Sequence, residues 1–139
     1  MSAQNLVAAL QTTTLVISVG SVDGILTSAA LLRLLGKSEE ECDMVFCQAF
    51  TVDKLPVDKW QGKVVTLVDL AVNNRDPEMT AAFVARLREN DNQLIAVIDE
   101  HSREDWLSTL GNFNGLVIEP QSQNEGDNAP KSSGEVLKR

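Results

Sequence analysis

The stretch KVVTLVDL, from Lys63 to Leu70, is nearly continuous in its hydrophobicity and rich in β-branched side chains. It is the clearest β-strand of the sequence, because Thr66 is the one polar residue between Val64 and Val68 and the regular polar alternation of a half-exposed strand is absent. A strand that is apolar on both faces is typical of a parallel sheet covered by helices on each side. The stretch therefore favours an α/β fold with a buried central strand.

The segments on either side of this strand alternate between strand-like and helix-like patterns. Each predicted helix has a recognisable end, such as the glycine at Gly36 or the Asp76-Pro77-Glu78 start. The alternation predicts an α/β domain of three layers, with a mainly parallel sheet of about five strands and helices on both faces. The predicted strands beside Lys63–Leu70 are Thr14–Val19, Asp43–Ala49, Gln93–Ile98 and Gly115–Ile118, and the predicted helices include Ile25–Leu35 and Arg103–Leu110.

The composition is that of one globular domain with a tail. The 139 residues are 43% hydrophobic and 23% charged, which is enough for a single core. Residues 1–119 carry the α/β pattern, whereas residues 120–131 are polar and predict a mobile linker. Residues 132–139 predict the start of a further helix, which ends before it could pack. We therefore expect that the chain ends early.

The charge and the apolar runs exclude several classes of protein. The net charge is −8, from 20 acidic and 12 basic residues, and no Lys/Arg cluster is present, which argues against non-specific nucleic-acid binding. The longest apolar runs, Leu15–Val19 and Leu94–Ile98, are far shorter than the roughly 20 residues that span a bilayer. The N-terminus lacks signal-peptide features, and Cys42 and Cys47 are expected to be free thiols. We therefore expect a cytoplasmic protein without a membrane partner.

Three acidic residues follow predicted strands, where sites form in open parallel sheets. These are Asp23, Asp69 and Asp99, and His101 lies two residues beyond Asp99. Three carboxylates and one imidazole suit Mn²⁺ or Mg²⁺, which would relieve the repulsion between the carboxylates. The alternative is that such acids cap the following helix or hold a loop, as Asp23 is placed to do. His101 has the same alternative, as a surface or capping residue.

Four segments of the chain, taken together, resemble the motifs of the DHH phosphoesterases. Residues 17–24 (ISVGSVDG), with Thr27–Leu32 after them, resemble motif I, and Val64–Asp69 resembles motif II. Val97–His101 (VIDEH) is similar to the Asp-His-His signature, and Pro130–Leu137 to a later Ser-Ser-Gly-Glu segment. The resemblance implies a strand order of 2-1-3-4-5. It also implies a phosphoester or phosphoanhydride hydrolase with a dinuclear Mn²⁺ or Mg²⁺ site between two domains.

The resemblance also assigns roles to individual residues of this chain. Asp23 matches the second motif I aspartate and Asp69 the bridging motif II aspartate. Asp99 and His101 match the first and last residues of the signature. The implied metal ligands are therefore Asp23, Asp69, Asp99 and His101, and the implied catalytic residues are Asp69 and His101.

The chain departs from the family pattern at several ligand positions. Ile17 and Val19 stand where the motif I histidine is expected, and Ser21 replaces the first motif I aspartate. Glu100 replaces the first signature histidine, and the smaller substrate-binding domain is missing. At most one Mn²⁺ or Mg²⁺ is therefore expected. Some degenerate relatives, the replication factors associated with the eukaryotic helicase, use this fold as an assembly module.

Two functions of different classes follow from these observations. The first is a degenerate DHH-like domain that acts as a non-catalytic binding or assembly module, with a protein partner or with a phosphorylated ligand that it does not hydrolyse. The alternative is a Mn²⁺- or Mg²⁺-dependent phosphoesterase that hydrolyses phosphodiesters or oligonucleotides, completed by a second domain absent from this chain. Its partner would be a phosphorylated small molecule or an oligonucleotide. Either form is compatible with a homo-oligomer.

Other site types fit the sequence less well, and one helix and two tryptophans are assigned to the core. A receiver domain would also place an aspartate at Asp69, but Ser21-Val22-Asp23 supplies one acid where that fold needs two. No G-x-G-x-x-G turn or P-loop is present. The apolar helix Ile25–Leu35 is expected to be core, and Trp60 and Trp106 partial core.

Overall fold

The computed structural model describes residues 3–99, 103–111 and 115–118 as a three-layer α/β domain. Helices and strands alternate along the chain, as the sequence predicts. Two short 3₁₀ helices, Ala49–Lys54 and Val57–Lys59, lie between the second and third strands. The helices are α1 (Ala3–Leu10), α2 (Val22–Leu35), α3 (Pro77–Glu89) and α4 (Arg103–Leu110). The strands are β1 (Leu15–Val19), β2 (Asp43–Cys47), β3 (Val64–Val68), β4 (Gln93–Ile98) and β5 (Leu116–Ile118).

The five strands form one sheet in the order β2-β1-β3-β4-β5, and every neighbouring pair is parallel. The predicted order 2-1-3-4-5 is therefore confirmed. Strand β1 contacts β2 on one side and β3 on the other, so that Leu15 aligns with both Asp43 and Val65. Because all strands run the same way, their carboxyl ends lie together at one edge of the sheet.

Each face of the sheet carries its own apolar core. On one face, Ile17 and Leu67 pack with Phe83 of α3 and Trp106 of α4. On the other face, strand residues at the intervening positions, such as Val16, pack with residues of α1 and α2. Strand β3 is buried on both faces over its last four residues, which is why its sequence shows no polar alternation.

The bounds of several elements differ from the prediction by one to three residues. Helix α2 begins at Val22 rather than Ile25, because the Ser21 side chain caps it. Strand β3 ends at Val68, since Asp69 adopts a left-handed backbone conformation that a strand does not continue through. Strand β2 ends at Cys47, where a 3₁₀ segment follows. Helix α1 was not predicted from the sequence.

The expectation that the segment Ile25–Leu35 is wholly core is wrong. One face of α2 packs on the sheet through buried residues such as Leu31 and Leu35. The opposite face is apolar yet exposed, with Leu26 at 63% and Leu34 at 47% of their full accessibility. An almost uniformly apolar helix gives no periodic signal that separates its two faces, so the sequence alone did not show this.

Several predictions fall on residues outside the described ranges. These are the linker at 120–131, the further helix at 132–139, and the roles of Glu100 and His101. Within the described ranges, no helix combines the length and apolar character needed to cross a membrane.

Candidate functional site

The candidate site lies at the carboxyl edge of the sheet, where three strands end next to one another. Strand β1 leads into Ser21 and the start of α2. Strand β3 leads into Asp69, and its neighbour β4 leads into Asp99. The parallel register of β1, β3 and β4 therefore brings three of the residues singled out in the sequence to one edge.

Ser21 links the β1 and β3 ends directly. Its hydroxyl accepts a hydrogen bond from the Gly24 backbone N–H at 3.0 Å, which caps α2. The same hydroxyl donates to the Asp69 Oδ2 atom at 3.3 Å. The residue that replaces the first motif I aspartate thus acts as a helix cap and as a hydrogen-bond donor to a carboxylate.

Gly24 allows the start of α2 to approach the sheet edge. A Cβ atom at this position would lie 2.1 Å from the Val19 carbonyl oxygen and 2.8 Å from Ser18 Oγ. Both distances are shorter than any normal contact, so a side chain here would push the helix away from β1. The close approach is what keeps Ser21 within reach of Asp69.

Asp69 is held in place by its backbone as well as its side chain. Its φ angle is 54°, in the left-handed region, which aspartate tolerates better than most residues. Its backbone N–H donates to the Ile98 carbonyl oxygen at 2.7 Å, which ties the β3 end to β4. Only 8% of the residue is exposed. Asp69 therefore connects the end of β3 to the ends of β1 and β4 through these hydrogen bonds.

Asp99 is still more enclosed, with 1% of its surface exposed. The indole N–H of Trp106 donates to its Oδ2 atom at 3.0 Å, and this hydrogen bond is buried. Trp106 belongs to α4 and is itself 0% exposed, so it is full core rather than the partial core expected. A buried carboxylate requires such hydrogen-bond donors, because its desolvation is otherwise costly. The contact anchors α4 to the end of β4.

Asp23 occupies the first turn of α2 and is partly exposed. It follows the cap residue Ser21 by two positions, so it does not cap the helix itself. An acidic side chain in the first turn interacts favourably with the positive end of the helix dipole. The sequence offered helix capping as the alternative role of Asp23. The structure instead makes Ser21 the cap and places Asp23 in the first turn after it.

The described donors on their own do not fit a metal ion. Within residues 3–99, 103–111 and 115–118, no group of three or more His, Cys, Asp or Glu side chains is placed to hold one. Asp99 is enclosed by Trp106, and Ile17, at the motif I histidine position, is core. His101 lies outside the described residues, so the full set Asp23, Asp69, Asp99 and His101 stays a prediction.

The two cysteines are free, as expected. Cys42 precedes β2 at the opposite end of the sheet, whereas Cys47 ends β2 beside Val19 at the carboxyl edge. Burial raises the pKa of the Cys47 thiol to about 11. Burial also raises the pKa of the Cys42 thiol, against the opposing effect of nearby Lys37. A thiol with a raised pKa is a poor nucleophile at neutral pH, so neither cysteine is placed for catalysis.

Two contacts at this edge were missed by the sequence analysis, although each has a signal. Ser21 stands directly before the apolar helical segment, where a serine is a typical N-cap. Trp106 lies seven residues after Asp99 in the first turns of a short helix, and an indole is usually bonded when buried. Nothing in the sequence distinguishes the left-handed backbone of Asp69.

Comparison with known structures supports the fold. The chain is similar to the crystal structure of CDC45 from Entamoeba histolytica, with a TM-score of 0.61 over 96% of this chain. The sequences are 18% identical, and this chain spans 28% of the length of that CDC45 chain. No protein family and no curated protein matches the sequence. At this level of identity the similarity shows a shared fold.

Proposed function

We propose that this chain is a degenerate DHH-like domain that acts as a non-catalytic binding or assembly module with a protein partner. The fold likeness to CDC45, which has the DHH superfamily fold, supports the first part of the proposal. The motif order along the chain, from residues 17–24 to Val97–His101, supports it independently.

The observation that carries the proposal is the environment of Asp99. In the family resemblance this residue is the signature aspartate, whose oxygens would face a metal ion. Here the carboxylate is buried, and Oδ2 accepts a hydrogen bond from the Trp106 indole. The indole bond occupies one lone pair of Oδ2, and the burial of Asp99 restricts the approach of a cation. Asp99 thus has the environment of a structural carboxylate.

The motif I positions point in the same direction. Ile17 is completely buried in the core, and Val19 packs against the same cluster. Neither side chain carries a metal-binding atom. Ser21 uses its hydroxyl for the α2 cap and for Asp69. A site for two metal ions, which in-line displacement at phosphate commonly uses, lacks its first set of ligands.

The test is calorimetric titration of Mn²⁺ into the wild type and Asp69→Asn, with hydrolysis of bis(p-nitrophenyl) phosphate measured in parallel. Asparagine adopts the left-handed backbone of Asp69 readily, so the variant keeps the fold. Asp58→Asn, which changes an exposed acid in the second 3₁₀ segment, is the matched control. We expect no Asp69-dependent binding and no hydrolysis in any of the three proteins.

The second candidate is the Mn²⁺- or Mg²⁺-dependent phosphoesterase, acting on a phosphorylated small molecule or an oligonucleotide. It is favoured by one observation, the placement of Asp69 and Asp99 at the ends of adjacent strands. Saturable Mn²⁺ binding that Asp69→Asn abolishes and Asp58→Asn preserves, together with hydrolysis, would overturn the proposed function in favour of this one.

A further inference from the structure

The outer face of α2 is uncovered in the described structure and apolar at six of its seven exposed positions, Arg33 being the exception. From Val22 to Leu34, successive exposed positions of α2 are separated by steps of three and one residues in alternation, which places them on one face of the helix. Val22 and Leu26 are the most accessible, at 74% and 63%. The outer stripe of α2 is defined here as Val22, Ile25, Leu26, Ala29, Ala30 and Leu34.

This stripe differs from the scattered apolar residues found on every protein surface. A stripe at helical spacing presents one contiguous strip along a helix about 21 Å long. Contiguous exposed apolar surface marks an interaction site far more often than isolated side chains do. Within the described residues, Phe46 of the edge strand β2 adds a further exposed apolar side chain on the same side of the sheet as α2.

The tail of this chain is not suited to cover the stripe. Residues 119–139 contain two large aliphatic side chains, Val136 and Leu137, among Gln, Asn, Ser, Gly and charged residues. Two neighbouring side chains cannot match six that extend over three turns. An occupant must instead present an apolar strip of similar length.

We propose that the outer stripe of α2 binds the same stripe of a second copy of this chain, with the two helices antiparallel about a two-fold axis. The inference deepens the proposed assembly function, and it rests on that function for its biological meaning. The small residues Ala29 and Ala30 lie near the middle of the stripe, where the axis would pass. They allow two helices to approach closely. Val22 and Ile25 of one copy would then contact Leu34 of the other.

The charges on α2 favour this antiparallel arrangement. Asp23 lies in its first turn and Arg33, which is exposed on the same face as the stripe, lies in its last turn. An antiparallel pair brings the Asp23 end of each helix to the Arg33 end of the other, twice about the axis. A parallel pair would instead place like charges and like ends of the helix dipoles together. The charges on the outer face of α2 are therefore complementary to those of a second copy in the antiparallel orientation.

The size of the stripe predicts a weak dimer. A standard interface uses roughly 20 to 30 residues on each side, and the stripe with Arg33 and Phe46 supplies fewer. Each copy also carries a net charge of −8, and repulsion between the copies is screened at physiological salt. We therefore expect dissociation in the micromolar range, with the dimer favoured at higher protein concentration.

Sedimentation equilibrium over micromolar to millimolar concentrations tests the proposal. The full chain is expected to rise from its monomer mass of 15.1 kDa toward twice that value. Leu26→Asp should remain monomeric over the range, since it places a charge in the middle of an apolar contact. Phe50→Asp is the matched control, because Phe50 is 65% exposed but lies in the first 3₁₀ segment. It should dimerise like the wild type.

Three further variants test the orientation. Arg33→Glu should weaken the dimer at least tenfold, and Asp23→Lys combined with Arg33→Glu should restore it. Oxidative cross-linking of Ala30→Cys should trap a covalent dimer, because Ala30 lies near the axis. Circular dichroism confirms that each variant is folded.

The outcomes separate this inference from the proposed function. A chain that stays monomeric at all concentrations overturns self-association and assigns the stripe to another occupant, while leaving a non-catalytic module in place. A dimer that Leu26→Asp preserves, or that Ala30→Cys does not trap, overturns the surface or its geometry. Mn²⁺-dependent hydrolysis would instead overturn the proposed function and leave the dimer untouched.

Discussion

At the scale of single residues, Gly24 is the position where the smallest change has the largest geometric consequence. Gly24→Ala places a methyl group 2.1 Å from the Val19 carbonyl oxygen, so α2 must shift away from β1. We expect a loss of about 1–3 kcal/mol or more in the free energy of unfolding, as for other overpacked contacts. Urea denaturation measures it. Gly20→Ala is the control, since its added Cβ would lie at an ordinary 3.7 Å from Phe46 and should change stability little.

Asp99 and Trp106 make a second prediction at this scale. Trp106→Phe removes the indole N–H and leaves Oδ2 of a buried carboxylate without that donor. We expect the free energy of unfolding to fall by about 2–4 kcal/mol, from the lost hydrogen bond and the smaller ring together. Asp99→Asn retains an oxygen that can accept from the indole and should cost less. A larger loss in Asp99→Asn than in Trp106→Phe would contradict this assignment.

Cys47 gives the stability of the protein a dependence on alkaline pH. Its thiol has an ordinary pKa of 9.0, which burial raises to about 11 in the folded chain. Between these two values the unfolded chain loses the thiol proton and the folded chain keeps it. The contribution of the protonated Cys47 thiol to the free energy of unfolding is therefore fully present below pH 9 and is lost as the pH rises to about 11. In Cys47→Ala, the free energy of unfolding should fall by about 1–2 kcal/mol less than in the wild type over this pH range. Urea denaturation at a series of pH values measures the difference.

At the scale of elements, the sequence predicts strands better than it predicts the ends and faces of helices. The strand Val64–Val68 is continuous in its hydrophobicity because both of its faces are buried, and the sequence shows this directly. The outer stripe of α2 is also apolar, yet it is exposed among the described residues. A pattern read along one chain cannot separate the two cases.

The candidate site shows the same limit. The sequence places Asp69 and Asp99 at strand ends, and the parallel sheet brings those ends together. The hydrogen bond from Trp106 to Asp99 depends on how α4 packs against the sheet, which is a tertiary property. The edge of the sheet where the site would form is therefore predictable from the sequence. The hydrogen-bond partners of the carboxylates at that edge are not.

The start of α2 makes a prediction at the element scale. Ser21→Ala removes both the cap on the Gly24 N–H and the donor to Asp69. We expect the free energy of unfolding to fall by about 1–2 kcal/mol, most of it from the lost cap. Ser21→Asn can still cap the helix and is the comparison variant. Amide hydrogen exchange should show faster exchange in the first turn of α2 in Ser21→Ala and not in Ser21→Asn.

At the scale of the whole molecule, the excess of acidic residues opposes folding. A net charge of −8 on a domain of this size repels itself more when the chain is compact than when it is unfolded. The ion pair between Lys63 and Asp43, at 2.9 Å, is partly exposed and contributes little against this repulsion. Salt shortens the range of the repulsion to about 8 Å at physiological ionic strength.

The melting temperature should therefore rise by a few degrees between low salt and physiological salt, since about 1 kcal/mol moves it by about 2–8 °C in domains of this size. Differential scanning calorimetry with sodium chloride and with sodium fluoride distinguishes screening from specific chloride binding, because screening depends on ionic strength alone. The same calorimetry on Leu26→Asp, which is expected to stay monomeric, separates the effect of salt on folding from its effect on dimerisation. A melting temperature that falls with salt in both series would mean that local attractions, rather than the net charge, dominate the electrostatics of the folded chain.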